Sequence, residues 1–236
     1  MEADGCFSTL NWTIAGDIRD LTMLERLSKI IGGKLSHIKD KNACILTLSN
    51  LHDITTLFNF LNGKLRDQRK IDMMIRKIKN TPGLNHLEAS VLPVDSSDNL
   101  NKTHWLAGFT TGDGSFQVKT LSRPTTQGRP ARNEVRLNLQ VDQKTSFLLD
   151  QIKGTFGGNV YHRNKQDTYY YGSTSFGVAN KLVKYFDVYR PCGIKWVNYL
   201  KWRSVWAIIQ TKYHTTASGF EKIVSIKSGM NDQKYK

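Results

Sequence analysis

From Glu134 to Val141 the chain alternates polar and apolar residues without a break. That period of two predicts a strand with Val135, Leu137, Leu139 and Val141 on a core. It leaves Glu134, Arg136, Asn138 and Gln140 uncovered on the other face. Ser115–Leu121 reads as the partner strand, and 122–132, with two prolines, a glycine and three arginines, as a polar hairpin loop. Helices are predicted over Trp105–Thr111, Thr145–Lys153, Phe176–Phe186 and Lys195–Ile209, the last of them rich in tryptophan. Gly157-Gly158 ends the second of them. Asn159–Arg163 and Thr168–Ser175 form a hairpin turning at Asn164–Asp167. Tyr170 is expected in the core with its neighbours facing the other way. Trp196, Trp202 and Trp206 are expected to pack.

The first hundred residues repeat this order in shorter form. Cys6–Trp12 and Thr13–Ile18 are strand candidates, and Leu21–Ile31 a helix ending at Gly32-Gly33. Lys34–Lys39 and Ala43–Leu48 pair through a turn at Asp40–Asn42. Asp53–Leu61 and Arg69–Lys79 are helices. Two related halves follow: 1–80 and 104–214, joined by a linker at 81–103 and followed by a basic tail at 215–236.

The chain has 236 residues, 34 Lys plus Arg against 20 acids, and a formal charge of +14. A polyanion partner is the natural reading. Three cysteines with no CxxC support neither a disulfide framework nor a zinc knuckle and fit a reducing compartment. Six histidines show no metal-ligand spacing. No P-loop or GxSxG is present. No run is apolar enough to span a bilayer, and the start does not read as a signal segment.

One motif occurs twice. Trp105–Phe116 reads as a short apolar helix with small residues, then Asp113, Gly114 and a strand. Glu2-Ala3-Asp4-Gly5-Cys6-Phe7 is a weaker copy. Two acids at the ends of packed helices would place carboxylates side by side, as a divalent-metal site requires.

These copies resemble the LAGLIDADG homing endonucleases and their intron-maturase relatives. The likeness continues in Leu139–Thr145, Phe156–Val160 and Gly193–Lys195. In the first half it includes Asp17–Asp20, Ile31–Gly33 and Asn62–Arg66. It implies an α+β fold of two pseudo-symmetric αββαββα halves, whose sheets form a saddle for the DNA major groove. The first helix is missing from the N-terminal half, because Met1 stands where its last apolar residue should be. A natural start upstream is preferred to a degenerate half that no longer cuts.

The resemblance also implies chemistry. Asp4 and Asp113, helped by the carbonyls of Ala3 and Gly112, would hold two or more Mg2+ ions, with Mn2+ as a substitute. Lys195 would stand near the scissile phosphate. Lys70 is its best first-half counterpart, ahead of Arg66 and Arg69. Gln143 would order water near the metals, with Arg19 in the equivalent position. DNA contacts are expected from Gln117, Lys119, Arg123, Arg129, Arg132, Arg136, Asn138 and Gln140. Their first-half counterparts are Ser8, Asn11, Lys34, Ser36 and Lys39. The expected function is an intron-encoded, site-specific endonuclease acting as a monomer on double-stranded DNA to promote intron homing. The alternative is a maturase that binds its host intron RNA and assists splicing. The first-half pieces point to a mitochondrion rather than a chloroplast.

Overall fold

The computed structural model describes residues 11–97, 100–123 and 132–230. Two compact units divide the chain, Met1–Ser97 and Asp98–Lys236. The fold is mixed α/β, with one antiparallel sheet described in each unit.

In the N-terminal unit, β1 (Trp12–Asp17), β2 (Lys34–Ile38) and β3 (Ala43–Leu48) form a sheet of order β1-β3-β2. Alternation is visible in β3, where Cys44, Leu46 and Leu48 are buried and the residues between them are half-buried. Three helices, α1 (Leu21–Ile31), α2 (Leu51–Leu61) and α3 (Gln68–Lys79), supply Ile31, Ile54, Phe58, Met74 and Ile78 to the core beneath this sheet. Helix α2 starts on a reciprocal cap. Asn50 Oδ1 accepts from the Asp53 N–H at 2.8 Å, and Asn50 Nδ2 donates to Asp53 Oδ2 at 2.7 Å. The same Asp53 oxygen accepts the Gly33 N–H at 2.7 Å, which ties the α1 exit to α2.

Trp12 belongs to the same strand as Thr13–Asp17, where the sequence reading had placed it on an earlier one. Most of that earlier strand, from Cys6, lies outside the described residues. Residues 81–97 pack on the N-terminal unit. A 3-10 segment at Asn85–Ser90 places Leu84 and Leu87 in the core, and Asp95 forms a 3.0 Å ion pair with buried Arg66.

The C-terminal unit opens with α4 (Trp105–Asp113), β4 (Gly114–Arg123) and β5 (Arg132–Gln143). It continues through α5 (Phe147–Phe156), β6 (Asn159–Arg163), β7 (Thr168–Gly172), α6 (Phe176–Val188), α7 (Gly193–Gln210) and α8 (Ala217–Ser228). Its sheet has the order β4-β5-β7-β6, all antiparallel. Phe116, Leu139, Val141, Phe186, Tyr199 and Trp202 form a core whose largest rings are fully buried. Trp196 and Trp206 pack against it, as expected. Helix α8 also belongs to this unit, since Ile223 and then Met230 reach the core.

Two expectations need correction. Asn138 is not uncovered: it is 3% exposed, because its amide turns inward to the backbone beyond β7. Tyr171, not Tyr170, is the core tyrosine. Tyr171 pairs across with Val141, on the apolar parity of β5, which puts Tyr170 beside Asp142 on the polar face. No helix among the described residues is long and apolar enough to cross a membrane.

Candidate functional site

Asp113 is the last residue of α4 and is exposed. The glycine after it answers to crowding. A Cβ on Gly114 would meet Thr110 Cγ2 at 2.5 Å and the Thr110 backbone at 2.8–2.9 Å. Thr110 is fully buried and cannot yield. Any larger residue would therefore shift the turn that aims Asp113.

The carboxylate accepts a hydrogen bond on Oδ2 from Gln143 Nε2 at 2.6 Å. Lys195 Nζ donates to the Gly114 carbonyl at 2.5 Å, beside the same turn. Sequence-distant segments thus bring Asp113, Gln143 and Lys195 together within one unit. Thr111 accepts the Cys192 N–H at 2.9 Å and donates to the Ala107 carbonyl at 2.9 Å. It thereby ties the end of α4 to the start of α7. Gly112 is exposed, and no described residue lies within 4 Å of where a Cβ would project.

Both charges oppose the local helix dipoles. Asp113 sits at the negative C-terminal end of α4, and Lys195 in the first, positive turn of α7. Each placement is unfavourable by roughly 0.3–1 kcal/mol. Charge set against its local field in an exposed, shaped turn is typical of function rather than stability. The donors here are oxygens, a carboxylate and peptide carbonyls, which suits a hard divalent cation such as magnesium better than zinc.

Of the first-half residues, Ala3, Asp4 and Ser8 lie outside the described residues, as does Arg129 in the second half. Lys70 is exposed in the first turn of α3. Its rivals are engaged. Arg66 is 4% exposed and bonds Ser97 as well as Asp95. Arg69 forks onto Asp67 at 2.6 and 3.0 Å and holds that carboxyl below its usual range. Arg19 is half-buried and bonds Asp17 at 2.8 and 3.0 Å.

The outward face of the C-terminal sheet gathers most of the proposed contact residues. Gln117 lies opposite Asn138, Lys119 opposite Arg136, and Arg123 opposite Arg132. Arg123 and Arg136 both bond Glu134, at 3.0 and 2.5 Å, and these bonds hold the Glu134 carboxyl below its usual range. Asn11, Lys34 and Ser36 are exposed at the N-terminal sheet, and Lys39 follows at the turn after β2. The sequence reading missed Asp142 and Arg163 on this face. Arg163 Nη1 donates to Asp142 Oδ1, and its guanidinium carbon lies 4.4 Å from the Tyr170 ring centre. The signal was the polar parity of β5, which continues one step past Gln140.

A family profile described as LAGLIDADG endonuclease matches residues 106–206. An uncharacterized cox1 intron-2 protein of 37.2 kDa from Schizosaccharomyces pombe is 41% identical over 226 residues, covering 94% of this chain and 68% of that protein. The intron-encoded DNA endonuclease aI3 of Saccharomyces cerevisiae is 24% identical over 76% of this chain and 52% of its own length. The chain therefore spans only about half of that second relative. Among solved structures, the I-LtrWI LAGLIDADG homing endonuclease bound to target DNA superposes with a TM-score of 0.73 at 22% identity. That match covers 94% of this chain and 87% of the other. I-GzeII in complex with its DNA target gives 0.73 at 24%, covering 95% and 89%. At these identities the likeness is one of fold. The chain belongs to the LAGLIDADG endonuclease family.

Proposed function

We propose that the chain is an intron-encoded, site-specific endonuclease. It binds double-stranded DNA as a monomer and hydrolyses phosphodiesters in a long recognition site, so that its intron is copied into an allele that lacks it. The observation that carries this reading is the Asp113 turn. It presents an exposed carboxylate, oriented by Gln143 and flanked by Lys195, with both charges set against their helix dipoles. The charge of +14 supports a polyanionic substrate, as do DNA-bound relatives of the same fold. Kinship to a cox1 intron protein supports a mitochondrial gene.

Asp113, the Gly112 carbonyl and, by resemblance, Asp4 with the Ala3 carbonyl would hold magnesium. The ion, when bound, supplies Lewis acidity toward the scissile phosphate. The Gln143 N–H keeps the Asp113 carboxylate in one orientation. Lys195 offers positive charge where negative charge develops on the phosphate oxygens. Lys70 is the first-half candidate for the same task. Arg136, Lys119, Gln117 and Gln140 face the bases and backbone of the bound duplex, whose major groove shows a distinct pattern at each base pair.

The test is magnesium-dependent cleavage of DNA spanning the joined exons. It uses this chain, a version extended upstream in frame, and each of them carrying Asp113→Asn. Cutting that falls at least about a hundredfold in the mutant, with binding retained, supports the reading. No cutting by either form, with tight binding of the unspliced intron RNA, would instead support the maturase.

A further inference from the structure

A line of hydrogen bonds crosses the outward face of the C-terminal sheet, and its direction is fixed at both ends. At one end the backbone N–H of Ser173 donates to Asn138 Oδ1 at 2.8 Å. A backbone N–H only donates, so Asn138 must present its oxygen there and its NH2 elsewhere. That NH2 donates to Gln117 Oε1 at 3.0 Å, and Gln117 Nε2 donates to Gln140 Oε1 at 3.2 Å. Gln140 Nε2 then donates to Asp142 Oδ2 at 2.8 Å. An ionised carboxylate only accepts, so this end demands the same polarity as the first. Flipping any single amide would set N–H against N–H and oxygen against oxygen.

The acidic end is itself braced. Arg163 donates to the other Asp142 oxygen and lies over Tyr170, which stacks on Tyr161 with ring centres 5.0 Å apart. The buried end has its own requirement. A Cβ on Gly172 would come within 3.2 Å of Asn138 Oδ1, so the bare glycine leaves room for the amide.

We propose that Asp142, locked by Arg163, is a positioning residue. Acting with the Ser173 N–H at the buried end, it holds the amide orientation of Gln140 and, through it, supports that of Gln117, and so sets which base edges this face accepts. The inference rests on the DNA-binding reading and deepens it. Glutamine reads adenine through its oxygen and its NH2 together. After the internal bonds are made, each glutamine keeps one N–H and one oxygen lone pair. With the polarity locked, those groups stand at set positions. A base pair with donor and acceptor exchanged then meets like against like. Without the lock the line is held only from its Ser173 end, so Gln140, next to the lost acceptor, turns most readily to suit either base, and discrimination falls there while contact persists.

The experiment selects binding sites for the full chain from a randomised duplex pool and compares it with Asp142→Asn, Asp142→Glu and Arg163→Gln. Asparagine keeps the shape of Asp142 but can donate as well as accept, so it removes the directional constraint at the acidic end, beside Gln140. Asp142→Asn is expected to lose roughly tenfold discrimination at one or two base positions. Affinity for the best site and the melting temperature should stay close to wild type. Arg163→Gln should soften the same positions, and Asp142→Glu should restore part of the preference. An Asp142→Asn motif identical to wild type overturns the inference. So does an affinity loss spread evenly over all sequences, which marks a merely structural role. A wild-type chain that yields no motif overturns the DNA reading itself, and this inference with it.

Discussion

The two units share a plan and differ in what their sheets show outward. In each, a helix ends on a glycine pair in the left-handed region, Gly32-Gly33 after α1 and Gly157-Gly158 after α5, and a hairpin follows. Even the tether is analogous: Asp53 accepts the Gly33 N–H, whereas the Tyr171 hydroxyl donates to the Gly157 carbonyl at 2.8 Å. The outward rows diverge. Among the described residues of the N-terminal sheet they run Thr13–Thr47–Lys34, Ala15–Ile45–Ser36 and Asp17–Ala43–Ile38. In the C-terminal sheet, Ser115–Gln140, Gln117–Asn138 and Lys119–Arg136 are joined by Asp142, Arg163 and Tyr170. Short side chains with few hydrogen-bonding groups reach little of a groove. Long amides and guanidiniums held in a network reach far and lose less entropy on binding. Among the described residues one scaffold thus supports a sparser face and an organised one, and on the endonuclease reading the C-terminal unit is expected to carry more of the base discrimination.

The shared plan breaks first at its glycines. A Cβ on Gly33 would meet the Thr47 carbonyl at 2.9 Å, and one on Gly158 the buried Tyr171 ring at 2.8 Å, both at positive φ. Gly33→Ala and Gly158→Ala should each cost roughly 2–3 kcal/mol in denaturant melts. A neutral result at either would show that the two turns are not equivalent.

The outward faces are separated next. Asn138→Leu leaves the buried Ser173 N–H without its acceptor and should cost about 1–3 kcal/mol. Thr47→Val, in the middle of the N-terminal sheet, should stay within about 0.5 kcal/mol. Equal losses would erase the contrast.

Lys119→Ala should weaken DNA binding for all sequences alike and lower the salt slope by about one. Lys34→Ala should do no more. Titration of binding between low and moderate salt gives both numbers.

The smallest effect is common to both units. Burial raises the Asp187 pKa, but bonds from Arg203 at 2.7 and 2.9 Å and Tyr199 at 2.6 Å outweigh it, leaving the group below 3.8. The Arg69 bonds hold Asp67 below 3.8 as well, against the pull of burial. A lowered folded-state pKa adds stability that is complete above the unfolded value of 3.8 and is lost as pH falls through the folded one. Melting temperature should therefore be flat near neutrality and drop below about pH 4. Asp187→Asn and Asp67→Asn should each flatten that drop.

The sequence made much of the C-terminal fold legible because its cues agreed. Strict alternation marks β5, which the structure extends by two residues at each end; the glycine pair at 157–158 marks the exit of α5, which ends at Phe156 rather than Lys153; and the polar turn at Asn164–Asp167 separates β6, whose bounds match, from β7, which stops at Gly172 rather than Ser175. Asn138 was misread because period-two logic assigns a face, not a burial. A polar residue on the outward parity can still be drawn in by a backbone N–H beyond the neighbouring strand. Tyr170 and Tyr171 were exchanged for a related reason: three successive tyrosines carry no parity, and only pairing with Val141 settles it. Residues 81–97 read as a linker from composition, yet Leu84, Leu87 and Arg66–Asp95 tie them to the N-terminal core. At the candidate site, the helix-acid-glycine pattern located Asp113. The contact of Lys195 with Gly114, and the line of amides ending at Asp142, depend on long-range packing that local spacing does not encode.

The most direct measurement is a single-substitution scan of the selected DNA site. Every base pair is changed in turn, and each half is assigned to a unit by crosslinking from Gln117→Cys or Ser36→Cys. The account predicts that substitutions in the half crosslinked through Gln117 cost several-fold more affinity than those in the half crosslinked through Ser36. Equal intolerance in the two halves, or the reverse order, would contradict it.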